Sequence, residues 1–482
     1  MRVRSGSPAN RLPASGLTDA GNAGPSAIET PRRARDDADK SDDRDRQWGE
    51  GSAKSYFIPA VDIVVLDVLL NQYNVHVRDK EPSTFDSTDA NLHRGWVIDS
   101  DPFAVNQVGH PYQGSMRHGF ARSAGLNYWW ALLYDFLGSA AWEVAGETSP
   151  PSLNDQITTS LGGSFFGEVL FRMASAVLGG GDGEPGGWRE LGAAVVSPAT
   201  GFNRLAFGNR FDGIYPDRDP AMFTQLGIGA RHSARLKDVG DLSDLQRKAV
   251  IATAAMDYGL PGKSGYEYTR PFDYFHFEMA LTSSSNAIPE NVMVRGLLSG
   301  EAYKWGDRYR GIWGLYGSYD YISPELFSVS SVALSLGTTA QWWLAHSVAL
   351  QGTALSGLGW TAVGTIADAE EDNEFSYGYS PQALLELRVL FSDRVMLELA
   401  GREYHIGSDF DTGLGNENIL RGEASLTVRL WGHHALALQF VASRRDADFL
   451  DLSDVLQDVG ALSVLYTYLS DKEFGAVDWR GR

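Results

Sequence analysis

The chain has no cysteine in its 482 residues, which removes disulfides, thiolate metal ligands and thiol nucleophiles together. It also lacks any uninterrupted apolar run of the ~18 residues that a membrane-crossing helix calls for, so a bundle of spanning helices is not expected. Basic residues are in the minority, 41 against 61 acidic, and the formal net charge is -20. That balance excludes nucleic acid as a partner, because phosphate binding needs a positive footprint. Missing too is the basic, apolar and small-residue pattern of an export signal. Residues 1–52 are polar and charge-dense, as in Arg32-Arg33-Ala34-Arg35-Asp36-Asp37, and are expected to form a disordered tail. For an exported protein this opening leads us to expect a displaced start or a signal sequence not visible in the chain.

What is present is glycine (53) and aromatics (11%, including 13 Trp and 20 Tyr), at a slightly polar mean hydropathy of -0.22. A barrel whose strands alternate lipid-facing and lumen-facing residues has this composition, since only half of each strand must be apolar. From Met222 the apolar period becomes two. Leu385, Leu387, Val389 and Phe391 alternate with Glu386 and Arg388; Ser392-Asp393 turns the chain; Val395, Leu397 and Leu399 follow, with Glu398 on the other face. A second pair sets Ala424, Leu426, Val428 and Leu430 against Glu423, Ser425, Thr427 and Arg429, then turns at Gly432-His433-His434 into Leu436 to Ala442.

Charges such as Glu386, Arg388, Glu398, Glu423 and Arg429 on the inner face are costly in a dry sandwich and cheap in a wetted or plugged lumen. Tight turns alternate with acidic connections at Trp360–Tyr377, Tyr404–Asn418 and Arg444–Gly460. Extending the pattern gives about twelve strands. The fold class expected for residues 188–482 is therefore an antiparallel transmembrane β-barrel of the outer-membrane type. Its last clear strand ends near Leu469 rather than on a terminal aromatic, so either Phe474–Trp479 completes it or assembly uses a less usual signal.

Residues 53–187 read as helical. Tyr56–Tyr73 is an apolar helix interrupted by Asp62 and Asp67, which suits packing on protein or an interface better than spanning. Ser115–Ala145 is a second, ended by Pro150-Pro151. Ser152–Leu178 is a third, opened by a capping box to Asp155. In it Thr159, Gly163 and Gly167 recur every four residues, a smooth face for close approach of another backbone, and Glu168 can pair with Arg172. These helices are expected to plug the lumen or pack at its periplasmic mouth.

The polar residues here form a pattern: Asn106-x-x-x-His110-Pro111-x-x-Gly114-Ser115, then Trp142-Glu143-x-x-x-Glu147, Asn154-Asp155 and Gly167-Glu168-x-x-x-Arg172, with Pro198-x-x-Gly201-Phe202-Asn203-Arg204 and Gly314 to Tyr321 downstream. Over roughly Lys54 to Tyr321 this resembles the bacterial family DUF3943, a domain of unknown function. The resemblance implies an envelope barrel protein and identifies no reaction.

Read from the residues, His110, Glu143 and Glu147 suit a metal site, Glu143 and Glu147 being one helical turn apart. Ser115 activated by His110 suits a nucleophile, but no Gly-x-Ser-x-Gly elbow surrounds it. A buried network asks least: Glu143, Glu147, Asp155 and Glu168 with Arg117, Arg122, Arg172 and Asn106. No cofactor is expected. The leading reading is a structural or transport barrel of the outer membrane, in contact with its lipid and lipopolysaccharide and dependent on the outer-membrane insertion machinery. The alternatives are an envelope enzyme acting on lipid or lipopolysaccharide and, with least support, a soluble all-β binding protein.

Overall fold

A computed structural model describes residues 54–99, 101–180, 185–211, 220–235, 247–283, 289–365, 375–407, 414–449, 454–470, 474–477 and 479; the expected N-terminal tail lies outside them. The period-two segments form β1 Met222–Arg235, β2 Arg247–Tyr258, β3 Phe275–Thr282, β4 Asn291–Trp305, β5 Tyr309–Ile322, β6 Phe327–Ala345, β7 Val348–Thr365, β8 Phe375–Phe391, β9 Val395–Ile406, β10 Leu414–Trp431, β11 His434–Phe449 and β12 Val455–Leu469. Each pairs antiparallel with its neighbours in sequence, and β1 pairs with β12 from Gln225 opposite Leu469 to Arg235 opposite Val459, closing the barrel. The strands outrun the expected segments. Stretches assigned to acidic connections, such as Arg444–Gly460, are largely ladder, because inner-face charges like Arg445 and Glu417 pair with each other.

Alternation assigns the two faces. Asp257, His276, Arg295, Glu386, Arg388, Glu398, Arg402 and Glu423, contributed by neighbouring and facing strands, line one cavity of about 130 Å³ inside the barrel. They neutralise one another: Arg388 meets Asp257 and Glu398 at 2.7 Å each, Arg295 meets Glu386, and Arg402 meets Asp320 at 3.0 Å. Glu423 accepts a hydrogen bond from Gln439 at 2.6 Å. Residues of the opposite parity, including Leu226, Leu336, Leu426, Leu438 and Val464, are exposed outside. Where the tight turns lie, Trp305, Trp342, Trp431 and Tyr468 face outward at the strand ends, an aromatic girdle of the kind found at a membrane interface.

Phe474–Trp479 does not extend β12. The chain turns inward, and Phe474, Ala476, Val477 and Trp479 are buried in one apolar cluster with Phe223, Leu390 and Met396. Gln351 donates to the Gly475 carbonyl at 2.7 Å, and the Arg429 guanidinium sits 4.7 Å from the Phe474 ring centre. The β2–β3 connection adds Leu260 to the same cluster, and Arg310 donates to the Gly262 carbonyl at 3.1 Å. The tight-turn end of the lumen is thus filled by the C-terminal segment and this connection.

The helices are α1 Phe57–Val77, α2 Phe85–His93, α3 His110–Ser123, α4 Tyr128–Ala141, α5 Leu153–Gly179, α6 Gly187–Val196 and α7 Pro198–Phe207. Three corrections apply. The expected single helix over Ser115–Ala145 is two, broken at Gly125, whose φ of 86° favours glycine. Helical structure continues past residue 187 to Arg210, so the barrel begins at Met222 rather than at 188.

The third correction concerns place: the helices lie against the outer face of the wall instead of in the lumen. Val332 and Tyr319 stand beside Gly162, Gly317 beside Phe165, and the Phe166 and Phe277 rings stack at 6.5 Å, all wall residues of outward parity. α5 runs obliquely over the wall, from Asn154, which donates to the Tyr377 hydroxyl at the start of β8 (3.0 Å), to Arg172, which pairs with Asp273 after β2 (3.2 Å). The outer sides of the helices are themselves apolar and exposed, with Val64, Val68 and Leu69 on α1, Trp129 and Phe136 on α4, and Leu205 on α7. They continue the belt of the bare strands. α1 and α5 are long and apolar enough to cross a membrane by length and composition, although two thirds of the apolar stretch of α5 is buried in protein.

The smooth face expected on α5 meets α3 backbone to backbone. A Cβ at Gly163 would lie 2.6 Å from the Gly114 Cα, and one at Gly114 would lie 2.0 Å from the Thr159 carbonyl oxygen. Gly114→Ala is therefore expected to lower the stability of the helical layer by at least about 1–3 kcal/mol, the usual cost of overpacking. Tryptophan-fluorescence melting in detergent measures it; an unshifted melt would mean that the crossing has slack.

Candidate functional site

Three helical segments loosen into wide turns with i to i+5 hydrogen bonding: Val105–Gly109 leading into α3, Trp142–Gly146 after α4, and Thr158–Gly162 within α5. Such turns are rare and recur at functional sites. Here all three surround one point. The first carries Asn106 and delivers His110, the second carries Glu143, and the third, with the α5 turn before it, supplies Thr159 and Asp155.

His110, Glu143 and Asp155 are all buried, and one ligand atom from each lies within 4.8 Å of the others. Each is held from behind. The Ser152 backbone N–H donates to Glu143 Oε2 at 2.9 Å, Asn154 Nδ2 donates to Asp155 Oδ1 at 3.1 Å, and His110 Nδ1 shares a hydrogen bond with the Thr159 hydroxyl at 3.3 Å. His110 Nε2 then faces Asp155 Oδ2 at 3.9 Å, beyond hydrogen-bond length. Glu143 Oε1, Asp155 Oδ2 and the neighbouring Asn106 Oδ1 are buried without a hydrogen-bond partner. Burial first, then the nearby Glu147 and Asp155 charges, pushes the Glu143 carboxyl up to about 9, against the smaller opposing effect of the Ser152 N–H.

The wall closes the back of the site. The Tyr377 hydroxyl receives hydrogen bonds from Asn154 (3.0 Å), Gln107 (3.0 Å) and Asn106 (3.4 Å), while the Tyr319 hydroxyl donates to the Gln107 carbonyl at 2.5 Å. In front, His110 reaches a cleft of about 420 Å³ whose apolar side is Leu66, Leu70, Val105 and Met116 and whose polar rim includes Arg78, Lys80, Asp99, Asp101 and Glu147. Of the three core residues His110 alone lines that cleft.

The expected ligand Glu147 is not part of the cluster. The wide turn after Ala141 breaks the regular spacing that would align it with Glu143, and its carboxylate accepts from the Trp142 indole at 2.8 Å. Ser115 is not aligned with His110, since its hydroxyl donates to the Tyr112 carbonyl at 2.6 Å. Of the expected network only the Glu168 pairs form, apart from this cluster, and Arg117 finds a partner outside the expected set. Arg122 and Arg172 pair with Glu168 at 2.6 and 2.8 Å, and Arg117 pairs with Asp67 at 2.7 Å. Among the described residues no arginine or lysine pairs with Glu143 or Asp155. Tyr377 and Gln107 carry no signal in the sequence that ties them to this site, and Thr159 is marked there only by the small-residue face of α5.

Residues 95–199 match the model of the family described as a domain of unknown function, DUF3943, the family the motifs resemble. No curated protein matches the chain. Solved structures similar to it include the NanC porin (9% identity, TM-score 0.27, 50% of this chain and 98% of that one). Also similar is the translocator domain of the autotransporter NalP from Neisseria meningitidis (14%, 0.24, 57% and 99%). A third is the outer membrane channel DcaP of Acinetobacter baumannii (9%, 0.24, 51% and 96%). With scores this low, the barrel assignment rests on the strand pairing of the chain itself.

Proposed function

We propose that this is an outer-membrane barrel whose wall serves as a scaffold for a membrane-facing enzyme, the helical layer, acting on lipopolysaccharide or another lipid of the outer leaflet. The observation that carries the reading is the cleft in front of His110 on the outside of the wall, among helices with apolar outer faces. A substrate arriving there comes from the bilayer rather than through the lumen. Longer connections of outer-membrane barrels face outward, and Tyr377, behind the site, begins a strand at that end, which supports the outer leaflet. The cleft pairs an apolar side with a polar rim of both signs, Arg78 and Lys80 beside Asp99, Asp101 and Glu147, a match for an acyl chain and a polar headgroup.

Chemically, His110 is the group that meets substrate. Its Nδ1 is oriented by Thr159 and its Nε2 faces the buried carboxylates, so the imidazole, Glu143 and Asp155 form one polar cluster that can position a water for hydrolysis or an acceptor hydroxyl for transfer. Purified protein in mixed vesicles of phospholipid and lipopolysaccharide is expected to generate a new lipid species detectable by mass spectrometry. His110→Ala should lower that turnover by roughly 10²-fold or more, because the cluster loses the group that faces the cleft and positions the reactants, with the barrel still folded. Unaltered lipids under all conditions would reject the enzyme reading.

A further inference from the structure

We infer that His110, Glu143 and Asp155 bind one divalent metal ion. Two carboxylates and an imidazole make a recognised ligand set for a borderline cation such as Zn²⁺ or Mn²⁺, and the absence of thiolates disfavours softer ions. Ligand atoms within 4.8 Å of one another can all reach a common centre about 2.0–2.2 Å away with small side-chain rotations.

The stronger argument is how the atoms are used. Each of the three side chains has one polar atom fixed by a neighbour, Ser152 for Glu143, Asn154 for Asp155 and Thr159 for His110. Outer partners of this kind orient metal ligands. The remaining oxygens, Glu143 Oε1 and Asp155 Oδ2, are buried with no hydrogen-bond partner, and Asn106 Oδ1 beside them is a third. Buried acceptors are almost always satisfied. The buried arginines of the helical layer pair elsewhere, Arg122 and Arg172 with Glu168 and Arg117 with Asp67. A cation supplies positive charge and coordination where the protein provides neither. His110, at the floor of the cleft, gives it access.

The inference concerns the same pocket as the lipid reading but is tested without lipid substrate, so the two fail separately. The full chain, purified in detergent and stripped with a chelator, is titrated calorimetrically with Zn²⁺ and with Mn²⁺, and its melting is followed with and without the ion. One ion per chain is expected to bind, with a rise in melting temperature. Changes to outer partners cost about 10–100-fold in metal affinity, so Glu143→Gln and Asp155→Asn, which remove ligands, should each cost more than about a hundredfold. Metal-free Glu143→Gln should melt close to the metal-free parent, because the amide keeps the size of the side chain and can still accept from the Ser152 N–H, and should gain nothing from the ion. Absence of saturable binding to the parent protein, or full affinity retained in both variants, would overturn the assignment. A turnover assay that stays silent while the titration succeeds would leave the metal site standing and reject only the lipid chemistry.

Discussion

Glu168→Ala is expected to unfold the helical layer while the barrel stays closed. Glu168 is fully buried and accepts from Arg122 Nε at 2.6 Å, Arg172 Nε at 2.8 Å and His118 Nε2 at 3.1 Å. Deleting it leaves two guanidinium groups in the interior with a carboxylate missing between them. Breaking a buried ion pair from one side costs about 3–5 kcal/mol, and a whole domain has only about 5–15 kcal/mol to lose. Arg122 also donates to the Leu126 carbonyl, and Arg172 to the Pro271 carbonyl at 2.6 Å, so the loss spreads to the α3–α4 corner and to the contact with the wall. Proteolysis of residues 57–207 should become fast, with heat-modifiable gel mobility of the barrel kept. Simultaneous loss of both would show that the two layers fold as one unit.

The second large effect belongs to the C-terminal segment. Phe474→Ala combined with Trp479→Ala is expected to release it and turn a closed barrel into a conducting one. The two side chains fill the lumen at the tight-turn end, Phe474 meeting Phe223 edge-on at 5.8 Å and lying under Arg429. Truncating a buried Phe or Trp costs about 3–5 kcal/mol, so the pair of changes removes most of what seats a segment this short. Behind it lies the charged chamber of about 130 Å³. Planar-bilayer recordings should change from silent to stepwise conductance; silence in the double variant would reject the segment as the barrier and place closure at the β2–β3 connection or at the buried cluster of Met293, Leu326, Tyr404 and Ile419 at the opposite end.

The barrel is legible in the sequence because period two survives in a single chain, and because charge repeated along one face of Leu385–Ala442 suits a wetted lumen and not a dry core. Where the helices go is not legible. Phe277, Val294, Tyr319 and Val332 read the same whether they face lipid or a helix, since both surroundings are apolar. The site is half legible. His110, Glu143 and Asp155 stand out as polar residues in apolar helices, but the choice of Glu147 assumes a regular helical spacing that the turn at Trp142–Gly146 abolishes. Tyr377 lies too far along the chain for any local pattern to connect it with Asn154. The separation of charges into a paired knot at Glu168 and a cluster without arginine at Glu143 needs three dimensions, because both draw on the same motif stretch.

The helices pack against part of the wall between β2 and β8, and the contact between β1 and β12 carries exposed Leu226, Ile228, Val464 and Tyr466 on its outer side. The closing seam is therefore bare. β1 and β12 are the first and last strands of the barrel, so the pairing that closes it lies on a stretch of wall away from the helices. A cylinder loaded on one flank keeps its zipper on the other, and the order along the chain matches that layout: load, wall, zipper.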